Sequence, residues 1–160
     1  MASNVTSITV KDFTHIHVEL PAYSAIRPGD LVEYYVDSGT LKLKPHATAG
    51  GSAIARFARE DDLQGNSVDD NYAADDEVMA NVYRAGDQIH AWLADNEDVS
   101  LGDFLESNGD GCLRKVVDED STQAAPARAL AIALEDLDLS NSSQESSGGA
   151  GDWRIKVEII

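Results

Sequence analysis

Pro28-Gly29-Asp30-Leu31-Val32-Glu33-Tyr34-Tyr35-Val36-Asp37-Ser38-Gly39-Thr40-Leu41-Lys42-Leu43-Lys44 is the stretch that decides the fold class. A Pro-Gly-Asp turn opens a run of β-branched and aromatic residues. Asp37-Ser38-Gly39 then turns the chain into a second run in which leucine and lysine alternate. Two short extended runs joined through a glycine-containing turn read as a β-hairpin. Upstream, Ile8, Val10, Ile16, Val18 and Leu20 all occupy even positions, with His15, His17 and Glu19 between them, which is the period of a strand. Downstream, Gly50-Gly51 opens Ser52 to Ala58, a further alternating run.

The same reading extends to the end of the chain. Arg59 to Asp76 is charged, amide-rich and poor in aliphatics, so it reads as an exposed loop. Val78 to Tyr83 has the Val78 to Val82 spacing of a helical turn, but Gly86-Asp87 cuts it short before the strand-like Gln88 to Leu93, and two strands about a Gly-Asp turn is the favoured reading. Val99 to Asp103 and Phe104 to Ser107 lead into Asn108-Gly109-Asp110-Gly111, a sequence that demands positive φ, and Cys112 to Val117 resumes a strand. Ala129 to Glu135 has good helix propensity, yet it alternates large and small apolar side chains, and the period favours a strand. Ser140 to Gly151 is low-complexity and reads as a flexible connection, after which Trp153 to Ile160 alternates and is expected to pair back on 129–137. The sum is about nine short strands, the spacing of an all-β, antiparallel barrel or sandwich. With 160 residues, one domain is expected over 14–160, preceded by an arm at 1–13 and carrying exposed loops at 59–76 and 138–151.

Charge narrows the function classes. Twelve Lys plus Arg against 29 Asp plus Glu leave a net charge of −17. Such a field repels phosphates, so direct nucleic-acid binding and docking on an anionic membrane are not expected. The acidity runs from Asp12 to Glu158, with 19 Asp to 10 Glu and only five Lys. That pattern resembles proteins of halophilic archaea and their viruses, in whose medium concentrated salt screens the self-repulsion. A single Cys112 excludes an intramolecular disulfide. The first ten residues carry no basic segment followed by an apolar run, so a signal peptide is not expected, and no apolar run approaches the length of a membrane-spanning helix.

Catalytic signals are sparse. His15 and His17 with Glu19 lie on one face of a strand, the placement a metal site on a β-barrel would use, and a cupin is the nearest comparison. The cupin spacing of Gly and Glu around the two histidines is missing. Asp95-Asn96-Glu97-Asp98 and Asn108-Gly109-Asp110-Gly111 offer oxygen ligands, but neither continues into a twelve-residue calcium loop. Nucleophile-elbow, P-loop and dinucleotide motifs are absent, and with 29 carboxylates, pairs of them carry no information. Neither an enzymatic activity nor a cofactor or metal is expected.

In order, Pro28-Gly29-Asp30-Leu31-Val32, Tyr83-Arg84-Ala85-Gly86-Asp87-Gln88-Ile89, Leu101-Gly102-Asp103-Phe104-Leu105-Glu106-Ser107 before Gly109-Asp110-Gly111, the Ala-rich run 129–135 and the terminal Arg154 to Ile160 resemble the capsid decoration, or head cement, proteins of tailed double-stranded DNA viruses. The resemblance spans about 28–160. It implies a compact β-barrel of the β-tulip kind, a homotrimer, and a seat on the outer surface of the capsid, bound to major capsid protein at capsomer junctions. With the composition, it points to a haloarchaeal virus. The acidic loop 59–76 and the Ser-rich loop 138–151 are then outward elaborations. Val5, Ile8, Val10 and Phe13 of the arm are the expected capsid-binding residues, since an arm too polar for a core of its own can add strand pairing or apolar contacts to a coat subunit. The alternatives are a cupin-like metal-binding enzyme using His15 and His17, and a cellular halophilic β-domain used for binding.

The charge distribution generates a first prediction. The thermal unfolding midpoint should rise substantially between about 0.1 M and 2 M KCl as screening removes repulsion. A midpoint that stays flat or falls across that range would remove the salt-adapted reading.

Overall fold

The computed structural model describes residues 5–117, 128–140 and 154–160. Among these the chain forms thirteen strands and a single 3-10 turn at Asp62–Gln64. The strands are β1 (Thr9–Lys11), β2 (Ile16–Pro21), β3 (Val32–Asp37), β4 (Thr40–Pro45), β5 (Arg56–Ala58), β6 (Glu77–Val82), β7 (Gln88–Trp92), β8 (Asp98–Val99), β9 (Phe104–Ser107), β10 (Leu113–Lys115), β11 (Ala131–Ala133), β12 (Leu137–Asp138) and β13 (Arg154–Ile159). The fold is all-β, as the alternation indicates. The excess over nine strands includes two-residue pieces such as β8 and β12, too short for a period to register.

The hairpin forms as read. Ser38 and Gly39 both hold positive φ, 51° and 88°, which is what a two-residue type I′ connection requires. Opposite charges face one another across it: Lys44 Nζ lies 3.3 Å from Glu33 and Lys42 Nζ 3.1 Å from Asp37. The run Ser52 to Ala58 behaves differently, since only Arg56–Ala58 is strand. The Arg56 amide donates back to the Ile54 carbonyl at 2.6 Å, and this tight turn ends the extended geometry before β5.

The ladders gather into a six-stranded sheet in the order β1-β7-β13-β11-β9-β10, a three-stranded sheet β2-β6-β5, and the pairs β3-β4 and β12-β8. Every ladder is antiparallel. The strands on either side of Gly86-Asp87 are both present but do not pair. β6 joins β2 and β5, while β7 joins β1 and β13, so this corner hands the chain from one sheet to another. β13 pairs with β11 in the expected region, Ala131 opposite Ile159 and Ala133 opposite Val157. The large sheet curls until Leu93 bridges Leu113, where the Ala94 amide donates to the Leu113 carbonyl at 2.8 Å. That lone bridge is not a ladder, and among the described residues no closed barrel forms.

One turn recurs. In Arg27 to Asp30, Ala73 to Asp76, Arg84 to Asp87 and Ser100 to Asp103, the fourth residue is Asp, and its amide donates to the first residue's carbonyl at 3.0, 3.2, 3.0 and 3.0 Å. Its carboxylate accepts the first residue's amide in return, at 2.7, 2.7, 2.8 and 2.8 Å. The third residue has φ of 98°, 70°, 95° and 92°, supplied by Gly29, Asp75, Gly86 and Gly102.

Two apolar cores result. Phe57, Ile89, Leu93, Leu105, Leu113, Ile155 and Val157 fill the curled sheet, and Ala22, Ile26, Val32, Leu43, Val78 and Ala80 fill the space under the hairpin and the three-stranded sheet. Pro28 to Leu31 joins them. The Gly29 amide donates to Ala58 at 2.8 Å, the Trp92 amide donates to Gly29 at 3.3 Å, the Leu31 amide donates to Gly111 at 2.7 Å, and the His46 amide donates to Leu31 at 2.9 Å.

The acidic segment 59–76 is not wholly exposed. Asp62 to Ser67 face solvent, but Glu60, Asp61, Val68 and Tyr72 are buried. The Tyr72 hydroxyl donates to the Arg59 carbonyl at 2.6 Å and Tyr72 bridges Ile26, so the loop is pinned at both ends. Of the loop at 138–151, only 138–140 fall within the described residues, and 141–151 lie outside them.

Gly29 and Gly86 form a controlled pair. They hold the same turn at nearly the same φ, yet a Cβ on Gly29 would sit 3.2 Å from the Trp92 ring and 3.3 Å from Arg154 Nε, whereas one on Gly86 would meet nothing. Gly86→Ala should cost about 1 kcal/mol for the left-handed conformation, and Gly29→Ala should cost roughly 1–3 kcal/mol more for the overpacking. Denaturant unfolding of the two variants measures the difference, and equal losses would show that Gly29 is not sterically confined.

Candidate interaction site

The N-terminal segment meets the body as an edge strand. Among the described residues β1 pairs with β7 alone, and no described strand covers its other edge. The His90 amide donates to the Ile8 carbonyl at 2.8 Å and the Phe13 amide donates to Asp87 Oδ1 at 3.2 Å. Before the strand, the Glu60 carboxylate accepts from the Ser7 hydroxyl at 2.6 Å and the Ile8 amide at 3.1 Å. Val5 and Ile8 are buried against Val68. These two expected capsid contacts therefore belong to the chain's own core. Read alone they look uncommitted, because the residue that covers them lies sixty positions away in the acidic loop. Val10 and Phe13 remain on the surface, 39% and 96% exposed. Phe13 borders a cleft of about 250 Å³ with Lys11, Asp12, Ala85, Gly86 and Asp87.

The histidine face is not assembled as a metal site. His15 Nδ1 contacts Asp12, and His17 Nδ1 lies 3.1 Å from Asn81 Oδ1. Among the described residues no three His, Cys, Asp or Glu side chains gather where an ion could sit. The other oxygen-rich segments are spent on local structure. Glu97 accepts the Lys115 amide at 2.9 Å, and Asp110 accepts the Cys112 amide at 3.0 Å and Asn108 Nδ2 at 2.9 Å.

Two buried clusters escape the sequence reading. In the first, Trp92 lies under two cations, Arg27 at 4.4 Å and Arg154 at 4.2 Å from the ring centroid. Its indole donates to the Pro28 carbonyl at 2.9 Å, and Arg154 Nε donates to the same oxygen at 3.1 Å. Arg154 also reaches Asp69 at 3.2 Å and the Val68 carbonyl, tying the acidic loop to the junction. Arg27 donates to Asp30 through Nε and Nη2, at 3.1 and 2.9 Å, and to Cys112 Sγ at 3.1 Å. Burial works against the Arg27 charge, but Asp30 and then Cys112 hold its pKa above the ordinary arginine value.

The second cluster sets Ser107, His46 and Glu33 in a row. His46 Nδ1 lies 2.7 Å from Ser107 Oγ, and Nε2 lies 3.8 Å from Glu33. The residue types are those of a hydrolytic triad with its order reversed toward solvent. Ser107 is fully buried and also accepts the Gly109 amide at 3.1 Å, so it orients the ring and offers no accessible nucleophile.

No protein-family model matches this chain, and no curated protein matches it in sequence. Among solved structures it is similar to the N base of the head fiber protein gp8.5 of bacteriophage phi29, with a TM-score of 0.57 and 13% identity over 92% of this chain and 95% of that chain. At that identity the likeness is one of fold, and it extends along nearly the whole of both chains.

Proposed function

We propose that this chain is a virion structural protein that decorates and stabilises the capsid of a tailed virus of haloarchaea, bound on the outer surface to major capsid protein at capsomer junctions. The observation that carries the reading is the near full-length likeness of fold to the base of a phage head fiber. The acidic surface agrees with a life in concentrated salt. A fixed body with an open strand edge agrees with adhesion, because an unpaired edge can accept a strand of a coat subunit while a neighbouring apolar side chain fills a recess in it. Val10 and Phe13, beside the free edge of β1, are the adhesive residues in this reading. Val5 and Ile8 hold that edge in place from beneath. A homotrimer is part of the same proposal.

The exposures set the test. Phe13→Ala should leave stability within about 0.5 kcal/mol of the parent, as exposed positions do, and should sharply reduce occupancy on undecorated particles. Ile8→Ala should cost about 2–5 kcal/mol, as a fully buried side chain does. If Phe13→Ala and Val10→Thr together still decorate particles at full occupancy, the β1 edge is not the adhesive surface.

Assembly state is tested separately. Light scattering in high salt should give three times the chain mass, and a concentration-independent monomer would end the trimer proposal.

A further inference from the structure

The base of the hairpin holds a cation that nothing in the described chain neutralises. Arg56 is 5% exposed, its guanidinium carbon lies 3.8 Å from the Tyr34 ring centroid, and its Nε is buried without a hydrogen-bond partner. No described carboxylate pairs with it. The other buried arginine, Arg154, has Asp69 and two carbonyls. In a chain with more than two acids for every base, a buried arginine lacking a partner is the opposite of what chance pairing would leave. Stacking on tyrosine is worth about 0.5–2 kcal/mol, and of the guanidinium nitrogens only Nε is buried without a partner, so the rest of the group stays open to an anion in the cleft that it lines.

Arg56 lines a cleft of about 220 Å³ together with Val32, Tyr34, His46, Ala53 and Ile54. Glu33 stands at the same cleft but is engaged by Lys44 at 3.3 Å and faces His46. Tyr34 and Ile54 of the lining are exposed, and beyond Tyr34 the hairpin carries Val36 and Leu41, exposed as well. Tyr34 and Val36 lie opposite Leu43 and Leu41, so three of these residues share one side of the hairpin.

We propose that this cleft seats the carboxylate of a Glu or Asp side chain presented by a partner protein, with Arg56 as its anchor and the exposed apolar face of the β3–β4 hairpin as the adjoining seat. A guanidinium fixed on an aromatic ring presents its edge as a planar fork, which matches a carboxylate. Glu33 and the net charge of −17 oppose a more highly charged phosphate. The apolar walls suit the stem of an acidic side chain and its neighbours on a partner segment. This surface is distinct from the β1 edge and does not depend on the virion reading, because its test uses the isolated protein.

The intact protein, in salt that keeps it folded, is titrated with acetyl-Leu-Glu-Val-amide, its Gln counterpart, acetate and inorganic phosphate while the Arg56 Nε–H resonance is followed. The Glu peptide should shift that resonance saturably, and the Gln peptide should bind at least tenfold more weakly. Arg56→Lys, which keeps the charge and loses the fork, should weaken the Glu peptide about tenfold. Ile54→Glu, at an exposed position, should supply an internal carboxylate, abolish peptide binding and raise the thermal midpoint despite the added negative charge. It carries the test if Arg56→Lys fails to fold. Equal binding of the Glu and Gln peptides, acetate binding as tightly as the Glu peptide, tighter binding of phosphate, an unmoved Arg56 resonance, or peptide binding unchanged in Ile54→Glu would each overturn the proposal.

Discussion

Four residues, Pro28 to Leu31, hold two cores in register. Their backbone groups bond to β5, β7, the Gly111 turn and His46, so the three-stranded sheet, the curled sheet and the hairpin share a single strip of chain. Such a strip cannot shift without breaking bonds on every side. The side chains that pack it are cationic and aromatic rather than aliphatic: Trp92 with Arg27 and Arg154, and Asp30 beneath Arg27. A buried pair contributes little net stability, but removing one partner strands the other charge, so this cluster fixes geometry more than it adds free energy. The acidic loop is drawn into it through Asp69 and the Val68 carbonyl, and Val68 in turn covers Val5 and Ile8. The segment before β1 is thus linked to the junction through the acidic loop, while β1 itself is held by its ladder with β7.

The excess of Asp over Glu has two physical sources. One is the solvated surface. The other is the recurring turn, in which the carboxylate must reach back three residues to an amide, a span the short side chain of Asp covers. With Asp70, which makes the same reach to Ser67, five aspartates are committed in this way, three of them following a glycine with positive φ. Composition alone assigns all of them to salt tolerance, and the turns return a part to folding.

Alternation was enough to read β2, the hairpin, β7 and the pairing of β11 with β13, because their period shows in the sequence, whereas β6, buried on both faces, was legible only through the Gly86-Asp87 break that cuts short a helical reading. The assignment of strands to sheets was not legible. Gly86-Asp87 looks like a hairpin turn, but nothing in the neighbouring residues says that β6 and β7 face different partners. The burial of Val5, Ile8, Val68 and Tyr72 was missed for a related reason: each is an isolated apolar residue among polar ones, and only a distant segment completes its environment. The unneutralised Arg56 was equally hidden, since an unpaired charge is a fact about what does not lie nearby in space. Phe13 and Val10 could not be told from Val5 and Ile8 in the sequence, and only the structure separates the exposed pair from the buried one.

The place of β13 bears on how the chain reaches its fold. It lies between β7 and β11 in the large sheet, and its first residue, Arg154, lies more than a hundred positions from the Pro28 carbonyl it bonds. β7 and β11 are both synthesised before the strand that separates them. Until it arrives, each has an open edge, and the slot between them is as able to accept a strand from another chain as from its own. Closing so long a loop is slow, so the nascent protein is expected to spend its most aggregation-prone interval with its central rung missing.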